Sequence, residues 1–218
     1  VIESRGLGDV YKRQALTHKI TAMRRLALFD FDGTVSHKDS FLEFIKFTHG
    51  RARFFAGFLL LSPVIVLFKL GLLPNWRTKQ IAFSFFYKGM EEQWFLEKAG
   101  LFSKSEIAKI VRPTAMKSIN KHKVNGDRII IVSATFEPLL CDFCKENDIE
   151  LLATKVEIKN GKVTGKLGSP NCYGPEKVVR IEAHLQLADF HQIIAYGDSR
   201  GDKEMLALAN EGFYKPFR

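Results

Sequence analysis

Leu26-Ala27-Leu28-Phe29-Asp30-Phe31-Asp32-Gly33-Thr34 is an apolar run that stops abruptly at two acids, a glycine and a hydroxyl. A short run bounded in this way reads as a buried strand, and Gly33 and Thr34 cannot continue it. In a parallel α/β sheet, ligands collect beyond the carboxyl ends of the strands. Asp30 and Asp32 therefore fall where a phosphate and a cation would meet, although an isolated Asp-x-Asp pair serves equally well as a loop cap.

Three further stretches shift that balance. Ile129-Ile130-Ile131-Val132-Ser133-Ala134-Thr135 is a second apolar strand, ending in hydroxyls. Ile193-Ile194-Ala195-Tyr196-Gly197-Asp198-Ser199-Arg200-Gly201-Asp202 is a third, ending in paired acids. Between them, Gly174-Pro175-Glu176-Lys177 puts a lysine in the first turn of an expected helix, where the helix dipole does not favour a cation. In this order the four stretches resemble the haloacid dehalogenase-like superfamily of phosphohydrolases, whose marks are DxDGT, a strand-terminal Ser or Thr, a Lys and a GDxxxD acid pair. Within it they are most similar to the phosphoserine-phosphatase-like branch, subfamily IB. The resemblance covers the chain from about Leu26 onward.

The resemblance implies an α/β fold, a doubly wound, Rossmann-like parallel sheet with a helical cap inserted after the first strand. It implies a Mg2+-dependent phosphomonoester hydrolase in which Asp30 attacks phosphorus to give an aspartyl-phosphate. Asp32 would protonate the leaving alcohol and then activate water. Asp30, the backbone carbonyl of Asp32 and Asp198 would hold the Mg2+, a hard ion that takes oxygen ligands, with Asp202 in support. Ser133, Ala134 and Lys177 would meet the phosphate, although Thr135 follows the same strand and competes with Ser133. Gly33 permits a tight turn, and Thr34 donates to the phosphate or caps that turn. Asp39 stands where the branch carries an acid that meets a substrate amine, but it also fits a helix cap. Being shorter than the usual Glu, it weakens the case for phosphoserine. Dehalogenation on the same fold normally lacks the second aspartate, so Asp32 argues against it.

With 218 residues, 46% of them hydrophobic, the chain suits one main domain with an insertion and is not disordered. A net charge of +9 favours acidic partners, either a phosphate ester or an anionic membrane surface. No basic block interleaves with aromatics, so nucleic acid is not expected. Three cysteines make no disulfide framework, and Cys141 and Cys144 fall on a helical pattern. A reducing compartment follows, which predicts a cytoplasmic catalytic domain, peripheral to the inner face of a membrane if it docks there.

Residues 1–22 lack clean periodicity and read as a disordered or non-native lead, with Met23 as the candidate native start. The catalytic core is expected over 23–36 and 112–218, and the helical cap over 37–111. Within the cap, residues 54–68 form 15 consecutive uncharged positions, short of the about twenty that span a bilayer. Pro63 would kink this segment or split it into a helical hairpin. Two readings stay open: short helices packed over the site, or membrane contact with Arg51, Arg53, Lys69, Arg77 and Lys79 meeting anionic head groups. Bacterial phosphatidylglycerophosphatases of the same superfamily look similar across this insertion. They supply the alternative of a phosphatidylglycerophosphate phosphatase at the membrane surface, and a non-catalytic, membrane-bound phosphate-binding protein is the other. Helices over 77–90 and 91–110 are expected to break at Lys88-Gly89 and near Gly100. Further helices are expected over 114–124, 137–147, 176–187 and 203–209, and Asn160-Gly161 signals a hairpin. His37 and Asn171 read as structural.

Overall fold

The computed structural model describes residues 24–218, so the expected lead over 1–22 and the candidate start Met23 lie outside the described residues. Strand β1 (Arg25–Phe29) leads into helices α1 (Ser40–Leu60), α2 (Ser62–Lys69), α3 (Asn75–Tyr87), α4 (Glu92–Ser105) and α5 (Ile107–Ile110). Helix α6 (Pro113–Val124) returns the chain to β2 (Arg128–Phe136), followed by α7 (Cys141–Glu146) and β3 (Glu150–Thr154). A hairpin of β4 (Val156–Lys159) and β5 (Lys162–Leu167) precedes α8 (Pro175–His184), β6 (Gln192–Gly197), α9 (Lys203–Leu208) and β7 (Glu211–Tyr214).

The main sheet runs β3-β2-β1-β6-β7 with every pairing parallel, the doubly wound α/β arrangement expected from the motif order. β1 lies in the middle, its Phe29 in register with Ile131 of β2 and Tyr196 of β6. The strand order reverses beside β1, so the carboxyl ends that carry the acids and hydroxyls converge on one crevice. Alternate residues serve opposite apolar layers: Ala27, Phe29, Ile129 and Ile131 pack with the inserted helices, while Leu26, Leu28, Ile130 and Val132 pack toward α8 and α9. The edge strand β7 has no counterpart in the expected elements, because its four exposed residues carry no alternating pattern.

Aromatic packing anchors the insertion to the end of β2. Phe136 meets Phe83 of α3 at 4.4 Å and Phe41 of α1 at 5.1 Å between ring centroids, and Phe44 stacks on Tyr87 at 5.3 Å. Helix α4 runs through Gly100 without the expected break, because Phe95, Ala99 and Phe102 keep one buried face across it. The single helix expected over 137–147 opens instead as a 3-10 turn at Glu137–Leu139, which contains Pro138. At the hairpin, Asn160 and Gly161 both take positive φ, 51° and 69°, as a tight two-residue turn demands. This hairpin stands apart from the main sheet and bonds to the insertion, Val163 exchanging backbone hydrogen bonds with Gly89 and Met90.

The uncharged segment 54–68 forms the end of α1 and most of α2, joined by a kink. Gly50, at φ +75° and ψ 164°, interrupts α1 before it, and α1 and α2 then meet at an angle of 60° with Pro63 in the first turn of α2. Only one side packs: Phe54, Gly57 and Leu61 are buried, whereas α2 buries no residue and Phe55, Leu59, Leu60 and Val66 face outward. Among the described residues, no single helix is long and apolar enough to cross a membrane.

Candidate active site

β1 holds its register past Phe29, since Asp30 N–H still donates to the Tyr196 carbonyl at 2.9 Å. The chain then turns sharply, with Thr34 and Ser36 N–H both donating to the Phe31 carbonyl. Gly33 makes the turn at φ +91°, and a Cβ there would sit 2.5 Å from Asp198 Oδ2. Glycine is thus required twice over, for the backbone conformation and for the approach of the two acid loops.

The deepest part of the site is an ion network around Lys177. The N-terminus of α8, set by Gly174 and Pro175, directs this side chain inward, where it is 1% exposed. Its ammonium donates to Asp30 Oδ1 at 2.7 Å, to Asp202 Oδ1 at 2.7 Å and to the Val132 carbonyl at 2.6 Å. All three donors of the ammonium are therefore satisfied within the protein. Burial opposes its charge, but Asp30 and Asp202 outweigh that and hold its pKa above the ordinary lysine value.

The acids divide by what they have left to offer. Asp202 is the most heavily engaged: Lys177 donates to Oδ1, and Oδ2 accepts from the Asp198 and Ser199 N–H groups and the Ser199 hydroxyl. Burial raises its pKa, yet Lys177 and Ser199 win and hold it below the usual carboxylate value. Asp30 accepts one bond on each oxygen, from Lys177 and from the Thr34 hydroxyl at 3.0 Å, and burial pushes it up to about 6. Asp198 commits only Oδ2, to the Arg218 guanidinium, and burial raises its pKa as well.

Carboxylate oxygens of Asp30, Asp198 and Asp202 lie within 4.8 Å of one another. Three carboxylates against the Lys177 ammonium and the half-exposed Arg218 guanidinium leave net negative charge, and Asp30 and Asp198 retain lone pairs that a hard divalent cation can take. The Asp32 carboxylate does not join this group. Its two oxygens accept from Ser40 N–H at 2.8 Å and the Ser40 hydroxyl at 3.0 Å, at the start of α1. Desolvation, reinforced by the Asp39 carboxylate, drives Asp32 up to about 8.

The hydroxyls of β2 also separate. Thr135 bonds the Ser40 hydroxyl at 2.8 Å and so belongs to the frame that holds Asp32, whereas Ser133 and Ala134 face a cavity of about 430 Å³ together with Asp30, Asp32 and Lys177. Ser133 Oγ accepts from Thr135 N–H at 3.1 Å, leaving its proton free to donate. Asp39 caps α1 by accepting from Leu42 N–H at 2.9 Å while also lining the cavity. Cys144 and Cys172 are buried thiols raised by burial to about 12 and 11, and neither lines the cavity.

Lys79 is the residue that sequence reasoning misplaced. Grouped there with basic flanks that would meet head groups, it instead turns inward from α3, donates to the Ala134 carbonyl and lies 5.0 Å from the Phe136 ring centroid. Burial lowers its pKa, against the opposing pull of Asp39 and Asp32. No motif marks it, because its direction is set by how α3 packs on Phe136.

Known proteins resemble this chain in sequence and in fold. Protein CicA of Caulobacter vibrioides is 32% identical over 195 residues, 88% of this chain and 86% of that protein. A solved protein of unknown function from Bordetella pertussis Tohama I shares the fold at a TM-score of 0.75 and 22% identity, covering 88% of this chain and 89% of that one. A phosphoserine phosphatase solved as a phospho-aspartyl intermediate analogue shares it at 0.58 and 20% identity, covering 88% and 85%. The family model for haloacid dehalogenase-like hydrolases matches residues 27–207. That span runs from within β1 to within α9 and takes in every residue of the Lys177 network, and this chain therefore belongs to the haloacid dehalogenase-like hydrolase family.

Proposed function

We propose that this chain is a Mg2+-dependent phosphomonoester hydrolase that works through an aspartyl-phosphate. The observation that carries the reading is the division of labour between two neighbouring acids. Asp30 sits on the Lys177 ammonium at 2.7 Å, while Asp32, raised to about 8, is held by Ser40 facing the same cavity. An Asp30 oxygen attacks phosphorus, and the bond to the alcohol oxygen breaks as Asp32 delivers its proton there. Asp32, now a carboxylate, takes a proton from water, whose oxygen attacks phosphorus and returns Asp30 and inorganic phosphate. Ser133 donates its free proton to a phosphate oxygen, and Lys177 keeps Asp30 ionised and aimed. Mg2+ held by Asp30, Asp198 and the Asp32 carbonyl would supply charge to offset repulsion between the carboxylate and the phosphate dianion. The catalytic core would comprise 23–36 and 112–218, with 37–111 as its helical cap.

Phosphate release from a simple ester should stop when EDTA is added and return with excess Mg2+ but not with Na+. Unchanged release in EDTA would remove the metal from the mechanism.

A second reading concerns where the substrate lies. Phe55, Leu59, Leu60 and Leu70 are each about two-thirds or more exposed (66%, 75%, 69% and 67%), with Arg51, Arg53, Lys69 and Arg77 nearby in the chain. An apolar face with basic neighbours suits an anionic membrane surface, at which a lipid-linked phosphate ester such as phosphatidylglycerophosphate would be presented. The protein should sediment with phosphatidylglycerol vesicles and much less with phosphatidylcholine vesicles, and Leu59→Glu with Leu60→Glu should abolish the association. Equal sedimentation of wild type and the double variant would exclude this face.

A further inference from the structure

A second cavity, of about 520 Å³, adjoins the one that holds Asp30 and Ser133, and Asn75 and Tyr173 line both. Its walls are mostly apolar: Pro74 and Trp76 at the start of α3, Leu167 at the end of β5, and Pro170 and Tyr173 in the loop before α8. None of the motif residues accounts for it. Trp76 is nevertheless left 41% exposed, a large aromatic surface open to solvent.

The wall is held in place from several sides. The Tyr173 ring lies so close to Gly201 that a Cβ on that glycine would sit 2.3 Å from Tyr173 Cε2. Gly174 N–H, one residue on, donates to the Gly201 carbonyl at 2.8 Å. Tyr173 is thereby tied to the loop that carries Asp198 and Asp202. The Arg77 guanidinium stands 5.2 Å from the Trp76 ring centroid. Gln80 and Asn171 spend their carbonyl oxygens on the scaffold, accepting from Leu167 N–H and the Thr154 hydroxyl, each at 3.3 Å. Asn171 thus joins the frame of the second cavity.

Resting on the phosphatase reading, we propose that this cavity is a leaving-group subsite, which takes a flat apolar group of the substrate alcohol while the ester phosphate sits at Asp30. Trp76, Tyr173 and Pro170 offer ring faces, and such surfaces take up an aromatic ring better than a small polar head. The shared Asn75 and Tyr173 make the passage between the two cavities. Trp76 and Lys79 lie on one helix, so the same element that reaches toward Asp32 carries the wall of the subsite.

The test compares ω-phenylalkyl phosphates of one to four methylenes with alkyl phosphates of matched length. Their leaving groups are chemically alike, so only the ring differs. At the length that bridges the two cavities, kcat/KM should favour the phenyl ester by about tenfold. Trp76→Ala should bring that ratio near one, and Trp76→Phe should restore most of it. Parallel behaviour of the two series, or a ratio unmoved by Trp76→Ala, overturns the subsite. Calorimetric binding of the same esters to Asp30→Asn reads the subsite without turnover. A ring preference in binding that Trp76→Ala removes supports the subsite even if wild type hydrolyses neither series, a result that overturns the phosphatase reading instead. No ring preference in binding overturns the subsite.

Discussion

Asp30→Asn should lower phosphate release from a simple ester by about 10⁴-fold or more, the scale on which loss of a covalent nucleophile is felt. The substitution is nearly isosteric. The asparagine carbonyl still accepts from Lys177, and its N–H₂ can donate to Thr34, which reverses its present role at Asp30 Oδ2. Thermal unfolding should therefore change little while turnover collapses. A fully active Asp30→Asn protein would sink the reading of Asp30 as the covalent nucleophile.

Lys177→Met should destabilise the fold as well as stop turnover. Lys177 and Asp202 are both 1% exposed and Asp30 is 7% exposed, so the methionine would leave two buried carboxylates without their cation. Breaking a buried ion pair from one side costs about 3–5 kcal/mol, because the remaining charge is neither solvated nor paired. Urea unfolding should show a loss of that size. The Val132 carbonyl would lose its 2.6 Å partner too, loosening the end of β2 next to Ser133. An unfolding free energy equal to wild type would mean that the network is not electrostatically closed by Lys177, and the charge argument for a divalent cation would fall with it.

Several parts of the site could be read from the chain because they depend on neighbours in sequence. The acids and hydroxyls at strand ends follow from three apolar runs that stop, and these with the lysine of Gly174–Lys177, in one order, carry the resemblance that implies a parallel sheet. The hairpin turn follows from Asn160-Gly161, whose positive φ values few other pairs tolerate. Ser133 and Thr135 illustrate the limit. Both end the same strand with a hydroxyl, and they differ only in what lies opposite, the cavity for Ser133 and Ser40 for Thr135. Asp39 is similar, fitting both a cap and a cavity wall, and it serves as the former while lining the latter.

What the sequence determined by itself is the family and, through that resemblance, the doubly wound sheet, because both are carried by short motifs whose residues are neighbours in the chain. What only the tertiary structure decided is how the groups of those motifs are shared out and what surrounds them. The commitment of Asp202 to Lys177 and Ser199, the pairing of Asp32 with Ser40, the inward turn of Lys79 and the apolar cavity behind Tyr173 all join residues distant in the chain. So does the one-sided packing of residues 54–68, which composition alone could not assign to core or surface. The physical reason is the same throughout: a side chain's direction and its free lone pairs are set by which helix packs on which strand, and that choice is made by long-range burial around Phe136 and β1 rather than by any run of adjacent residues.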